Sequence, residues 1–102
     1  MAYAVQDRME SLHALCERYG VRRLALFGSA VREDFDPQQS DLDFLVEFRS
    51  IPEGGRAKAY FGLLKDLEEL FGHKVDLIET GTIRNPYVLR QVESEQKTLY
   101  AA

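Results

Sequence analysis

The stretch that most constrains this chain is Asp41-Leu42-Asp43-Phe44-Leu45-Val46-Glu47-Phe48. Side chains alternate across an extended backbone, so Leu42, Phe44, Val46 and Phe48 share one face while Asp41, Asp43, Leu45 and Glu47 share the other. A segment with one apolar face needs a sheet to join and a layer to cover it. Val21-Arg22-Arg23-Leu24-Ala25-Leu26-Phe27, apolar towards its end and closed by Gly28, predicts a largely buried strand. Lys74-Val75-Asp76-Leu77-Ile78-Glu79 predicts a third, left through the turn Thr80-Gly81, and Thr98-Leu99-Tyr100 has the makings of a short edge strand.

Helical spacing supplies the covering layer. Val5, Met9, Leu12, Leu15 or Cys16, and Tyr19 recur along Tyr3 to Tyr19, with Gly20 as a left-handed stop. After the break Ile51-Pro52-Glu53-Gly54-Gly55, residues Ala57, Tyr60, Phe61, Leu64, Leu67 and Phe71 follow the 3.6-residue period to Gly72. On that spacing Tyr60, Phe61 and Phe71 read as core rather than as a platform for stacking bases. Asn85-Pro86 places a capping residue before a proline at the first helical position and opens a helix through Tyr87, Leu89 and Val92 to about Ser94. Residues 29–40 read as a loop in which Ser29 caps one helical turn over Ala30-Val31-Arg32-Glu33. The expectation is an α+β, sandwich-like fold: a mixed sheet of three main strands plus the short edge strand, with helices packed on it. At 102 residues this makes one domain, 1–102.

Thirteen Lys and Arg against seventeen Asp and Glu leave a net charge of −4, which argues against binding duplex nucleic acid. Arg18, Arg22 and Arg23 read as a solvated face. The single cysteine, Cys16, can form neither an internal disulfide nor a cysteine zinc cluster and reads as a small core residue. The first residues lack the order of a signal peptide, and no apolar run approaches the ~18 residues of a membrane span. A soluble, cytoplasmic protein is expected.

Chemistry concentrates in the carboxylates. Asp41 and Asp43 leave one strand on the same face, ~7 Å apart at the backbone, and can converge on one cation. Two neighbouring carboxylates repel unless a cation or hydrogen-bond donors neutralise them. Asp76, between Val75 and Leu77, has no packing reason to be acidic and is the natural third ligand; the bland alternative is a salt bridge to Lys74 or Arg84. Three carboxylates suit Mg²⁺, which prefers oxygen ligands and keeps positions for water and phosphate, so the pattern favours phosphoryl or nucleotidyl chemistry. At the exit of the first strand, Gly28 lets a phosphate approach the backbone, and Ser29 offers a hydroxyl at the start of a helical turn. His13 and His73 have no partner motif and read as non-catalytic.

Leu26-Phe27-Gly28-Ser29-Ala30-Val31-Arg32 followed by Ser40-Asp41-Leu42-Asp43-Phe44-Leu45-Val46 resembles the signature of the minimal nucleotidyltransferases, a branch of the polymerase-β-like nucleotidyltransferases. The resemblance spans nearly the whole chain, through Lys74-Val75-Asp76-Leu77-Ile78 to Leu99-Tyr100. It implies a nucleotidyltransferase fold with Gly28 and Ser29 on the phosphates of ATP, and Arg32 matches the motif arginine. It further implies Asp41 and Asp43 on two Mg²⁺ ions and Asp76 as the third acid, near the attacking hydroxyl. Members of the family commonly pair with a small helical HEPN-domain protein as its antitoxin, and some transfer AMP to a tyrosine of that partner. Two departures stand out: the loop from Ala30 to Ser40 is one residue longer than the family usually has, and Glu33 stands where glycine is usual. They motivate one alternative, a catalytically silent subunit that neutralises its partner by contact; a second alternative is an enzyme acting on a small molecule such as an aminoglycoside after forming a homo-oligomer.

Overall fold

Leu42, Phe44 and Val46 are fully buried, and the residues alternating with them begin with a half-buried Asp43, so the apolar face of the acidic segment is indeed turned into a core. The computed structural model describes residues 6–28, 41–49, 55–82 and 84–102. Within them the chain runs through α1 (Met9–Arg18), β1 (Val21–Phe27), β2 (Leu42–Phe48), α2 (Gly55–Phe71), β3 (Val75–Glu79), α3 (Pro86–Glu95) and β4 (Lys97–Ala101). Short 3-10 turns occupy Gln6–Arg8 and Thr80–Thr82.

The strands form one mixed sheet in the order β3-β2-β1-β4. β1 is antiparallel to both β2 and β4, whereas β3 runs parallel to β2, a pairing that needs a crossover and receives it from α2. The buried cluster joins Leu12 and Cys16 of α1 and Leu63, Leu67 and Phe71 of α2 to one face of the sheet, where Leu24, Leu26, Leu42, Phe44, Val46 and Leu77 meet them. Phe44 and Phe71 stack there, ring centroids 5.7 Å apart. Burying a side chain of this size stabilises by roughly 1.5–3 kcal/mol, so this face dominates the stability of the fold.

Several expectations need adjusting. The first helix was expected from Tyr3; residues 1–5 lie outside the described part, Gln6–Arg8 is a 3-10 turn, and the α-helix starts at Met9 behind Arg8, which makes no side-chain cap. The second helix starts two residues early, at Gly55. Phe61 is not core: it is 64% exposed, because α2 seats Leu63 and Leu67 on the sheet and its neighbouring side faces outward. The expected edge strand is present as all five residues of β4. Asn85 caps α3 as its sequence implied, accepting a hydrogen bond from the Tyr87 amide at 2.9 Å with Pro86 following. The predicted turn over residues 30–33 lies outside the described residues. Among the described residues no helix is long and apolar enough to cross a membrane.

Candidate active site

The site is built where three strands meet at one end of the sheet. Asp43 is the second residue of β2 and lies opposite Phe27 of β1 on one side and Asp76 of β3 on the other. Residues paired across adjacent strands project from the same face, and neighbouring strands lie ~4.8 Å apart, so Asp43 and Asp76 stand side by side. The Leu42 amide donates to the Lys74 carbonyl at 3.0 Å, which ties the starts of the two parallel strands together. Asp41, just ahead of β2, is half-buried, as is Asp43, whereas Asp76 is exposed. Among the described residues the Asp76 carboxylate makes no hydrogen bond or ion pair, including with Lys74 or Arg84. No group of three or more His, Cys, Asp or Glu side chains, among the described residues, is already gathered as a metal nest.

Gly28 explains part of this geometry. It follows Phe27 directly, with φ of +71°, and a Cβ placed on it would lie 2.5 Å from Oδ2 of Asp43. The glycine therefore does two things: it takes the left-handed turn out of β1 and leaves room for the Asp43 carboxylate. The sequence marks Gly28 as the end of the strand and as a place for phosphate approach; the room it leaves for Asp43 comes only from the register of β1 with β2. Its neighbour Ser29, and Arg32 and Glu33, lie outside the described residues.

A cavity of about 560 Å³ opens between α2 and β3, lined by Arg56, Ala57, Tyr60, Phe61, Leu77, Ile78 and Glu79 and by none of the three aspartates. The Arg56 guanidinium pairs with Glu79, and the Tyr60 hydroxyl donates to the Leu77 carbonyl. Burial pushes the Tyr60 phenol above its ordinary pKa, with Asp76 and Glu79 adding to the effect, so the field of Asp76 reaches this hydroxyl. No local pattern could have announced these contacts, because they arise only when α2 docks along β3. The arginines divide: Arg18 pairs with Asp66 at 3.4 Å and Arg22 with Glu47 at 3.8 Å, both near the surface, while Arg23 donates to Thr98 Oγ1. His13 has a structural place, its Nε2 donating to the Leu99 carbonyl at 3.0 Å while its ring meets Tyr100 edge-on.

Compared with known proteins, residues 8–99 match the nucleotidyltransferase domain family. The protein adenylyltransferase MntA of Thermococcus cleftensis is 35% identical over 100 residues, covering 90% of this chain and 97% of its own. A Methanocaldococcus jannaschii protein provisionally named a protein adenylyltransferase is 40% identical over 81 residues, 79% of either chain. A solved structure of a provisionally assigned minimal nucleotidyltransferase superposes with a TM-score of 0.76 at 33% identity, covering 92% of this chain and 91% of that one. An MNT antitoxin in complex with tri-AMPylated HEPN toxin of Shewanella oneidensis shares the fold, with a TM-score of 0.64 at 19% identity, covering 95% and 72% of the two chains.

Proposed function

This chain belongs to the nucleotidyltransferase domain family and is a nucleotidyltransferase; from that premise we propose that it moves AMP from ATP onto a tyrosine hydroxyl of a HEPN-type toxin, for which it serves as antitoxin. The observation that carries the reading is the register of Asp43 with Asp76 beside Gly28, which assembles two acids and an open backbone turn at one strand end.

In the reaction the acceptor oxygen attacks the α-phosphorus, the bond from that phosphorus to the bridging oxygen breaks, and pyrophosphate leaves. Asp76, exposed beside Asp43, orients the acceptor hydroxyl and takes its proton. Gly28, with Ser29 and Arg32, receives the phosphates. Asp41, Asp43 and Asp76 would hold two Mg²⁺ ions, since the donor set is carboxylate oxygen alone and two of its members already share one face. When bound, such ions polarise the α-phosphate and offset the charge that develops on pyrophosphate. The protein's own contribution is alignment.

The acceptor is assigned from size and from the relatives. A chain of 102 residues built on one four-stranded sheet, among the described residues, has little surface with which to enclose a substrate, so a partner completes the site. MntA bears the name protein adenylyltransferase, and the Shewanella antitoxin is bound to a toxin that carries AMP. ATP as donor is consistent with a cytoplasmic reaction.

Intact-mass measurement after mixing the chain with its HEPN-type partner, ATP and Mg²⁺ tests the proposal. An AMP-sized increment on the partner, lost in Asp43→Asn, is the expected result. An adduct that persists in Asp43→Asn removes the assigned site, and toxin inhibition without any adduct establishes neutralisation by contact instead.

A further inference from the structure

We propose that Tyr60 and Glu68 are positioning residues for the reaction: from α2 they hold the outer edge of β3 so that Asp76 stays beside Asp43. The inference rests on the reading of Asp76 given above.

Among the described residues β3 ends the sheet, so β2 supports only one of its edges. On the opposite edge, the two backbone groups flanking Asp76 are bound by side chains of α2. The Val75 amide donates to Glu68 Oε2 at 3.2 Å, and the Leu77 carbonyl accepts the Tyr60 hydroxyl. Asp76 lies between these two attachments. Tyr60 and Glu68 are eight residues apart, ~12 Å along a helix axis, so one rigid element holds the strand at two points.

Three physical reasons make this attachment matter for chemistry. An edge strand with half its ladder opens more readily than an interior one. A slip of one residue in β3 would send Asp76 to the other face, because side chains alternate. Asp43 and Asp76 are like charges on adjacent strands, and their repulsion pushes β3 away from β2. The Tyr60 hydroxyl, its pKa raised by burial, stays protonated and therefore remains a donor. Leu63 and Leu67, fully buried between the two positioning residues, seat α2 on the sheet independently of either bond. Removing the bonds should thus loosen Asp76 while leaving the fold in place.

The test compares Tyr60→Phe, Glu68→Ala, Glu68→Gln and Asp76→Asn in AMP transfer from α-labelled ATP to the HEPN-type partner. Tyr60→Phe and Glu68→Ala are each expected to lower kcat about tenfold per folded molecule with the KM for ATP changed less than about twofold, since the displaced group is on the acceptor side. Glu68→Gln still offers an oxygen to the Val75 amide and restores the rate. Neither substitution lowers the residual rate of Asp76→Asn further, which is the signature of acting through that residue. Two readouts stand apart from turnover. Val75 amide exchange quickens in Glu68→Ala and recovers in Glu68→Gln, and Mn²⁺ alone binds about tenfold more weakly to Tyr60→Phe and Glu68→Ala. Wild-type kcat and Mn²⁺ binding in both Tyr60→Phe and Glu68→Ala, with Asp76→Asn inactive, would overturn the inference and leave the site reading standing. Should either variant lower the folded fraction, the Ala against Gln contrast at position 68, normalised to folded protein, decides. Full activity of Asp76→Asn would remove the role of Asp76 itself and this inference with it.

Discussion

At position 28 a single hydrogen atom in place of a methyl group decides whether the Asp43 carboxylate keeps its place. The left-handed backbone there already costs an L-residue roughly 1–2 kcal/mol, and the added Cβ would press on Oδ2 at 2.5 Å. The backbone of Asp43 is held on both sides, by Phe27 and by Asp76, so its side chain is what must move. Gly28→Ala is therefore expected to cost about 1–2 kcal/mol in calorimetry but to lower AMP transfer by about a hundredfold, an activity loss out of proportion to the loss of stability. Cys16 shows the opposite kind of residue. Fully buried, its thiol is pushed up to about 12, mainly by burial and further by Glu17. The fold thus favours the protonated thiol: this contribution to stability is complete below the ordinary value of 9.0 and fades as pH rises towards 12. A thiol reagent at pH 8 should label Cys16 only after denaturant unfolds the chain, and rapid labelling of the native protein would contradict the burial. What could be read residue by residue was whatever followed a period. Asp43 is recognisable because an acid interrupts an alternating strand, whereas Phe61 fits the helical spacing and still faces water, since spacing does not say how wide a stripe the sheet covers.

Among the elements, α3 is the least anchored, with no buried residue along Pro86–Glu95, so its local start signal carries unusual weight. Asn85→Ala removes the acceptor of the Tyr87 amide and should cost about 1 kcal/mol locally. The expected signature is faster amide exchange confined to the first turn of α3, with exchange in β1 and β2 unchanged; acceleration throughout would mean that α3 is coupled to the core. α1 is held differently, by its C-terminal end: the Tyr19 hydroxyl and Arg18 both bind the Asp66 carboxylate of α2. Tyr19→Phe removes the stronger of these bonds and should cost about 1 kcal/mol, or about 4–8 °C in Tm for a domain of this size. Elements of this kind were legible because caps, glycine stops and periods are local. The start of α1 was not, because Arg8 supplies no side-chain cap and the apolar period runs on past the helix. The full length of β4 was not either, since it depends on pairing with β1, whose register shifts between Leu24 and Ala25.

For the whole molecule, the decisive fact is the strand order β3-β2-β1-β4, which sets residues far apart in sequence at one end of one sheet. Gly28, Asp43 and Asp76 were each recognisable from sequence and expected in one site, whereas the register was not legible, because nothing local states that β3 lies parallel to β2 with Asp76 opposite Asp43. That adjacency concentrates negative charge in a protein whose net charge is already −4, and carboxylates on neighbouring strands destabilise the fold unless a cation offsets them. Two opposite consequences follow from one arrangement. Without divalent cations, Asp76→Asn should leave the Tm unchanged or raise it by a few degrees, because a repulsion at an exposed carboxylate is removed. With Mg²⁺ in excess, the wild-type chain should gain stability by mass action, about 2.7 kcal/mol at a hundred times the dissociation constant, while Asp43→Asn and Asp76→Asn gain much less. Thermal unfolding with and without Mg²⁺, in Ca²⁺-free buffer and at constant ionic strength, distinguishes this from general screening, which would stabilise all three chains alike. Equal gains in the wild type and both variants would mean that the paired acids are not where the cation binds, and the catalytic role assigned to this end of the sheet would have to be withdrawn.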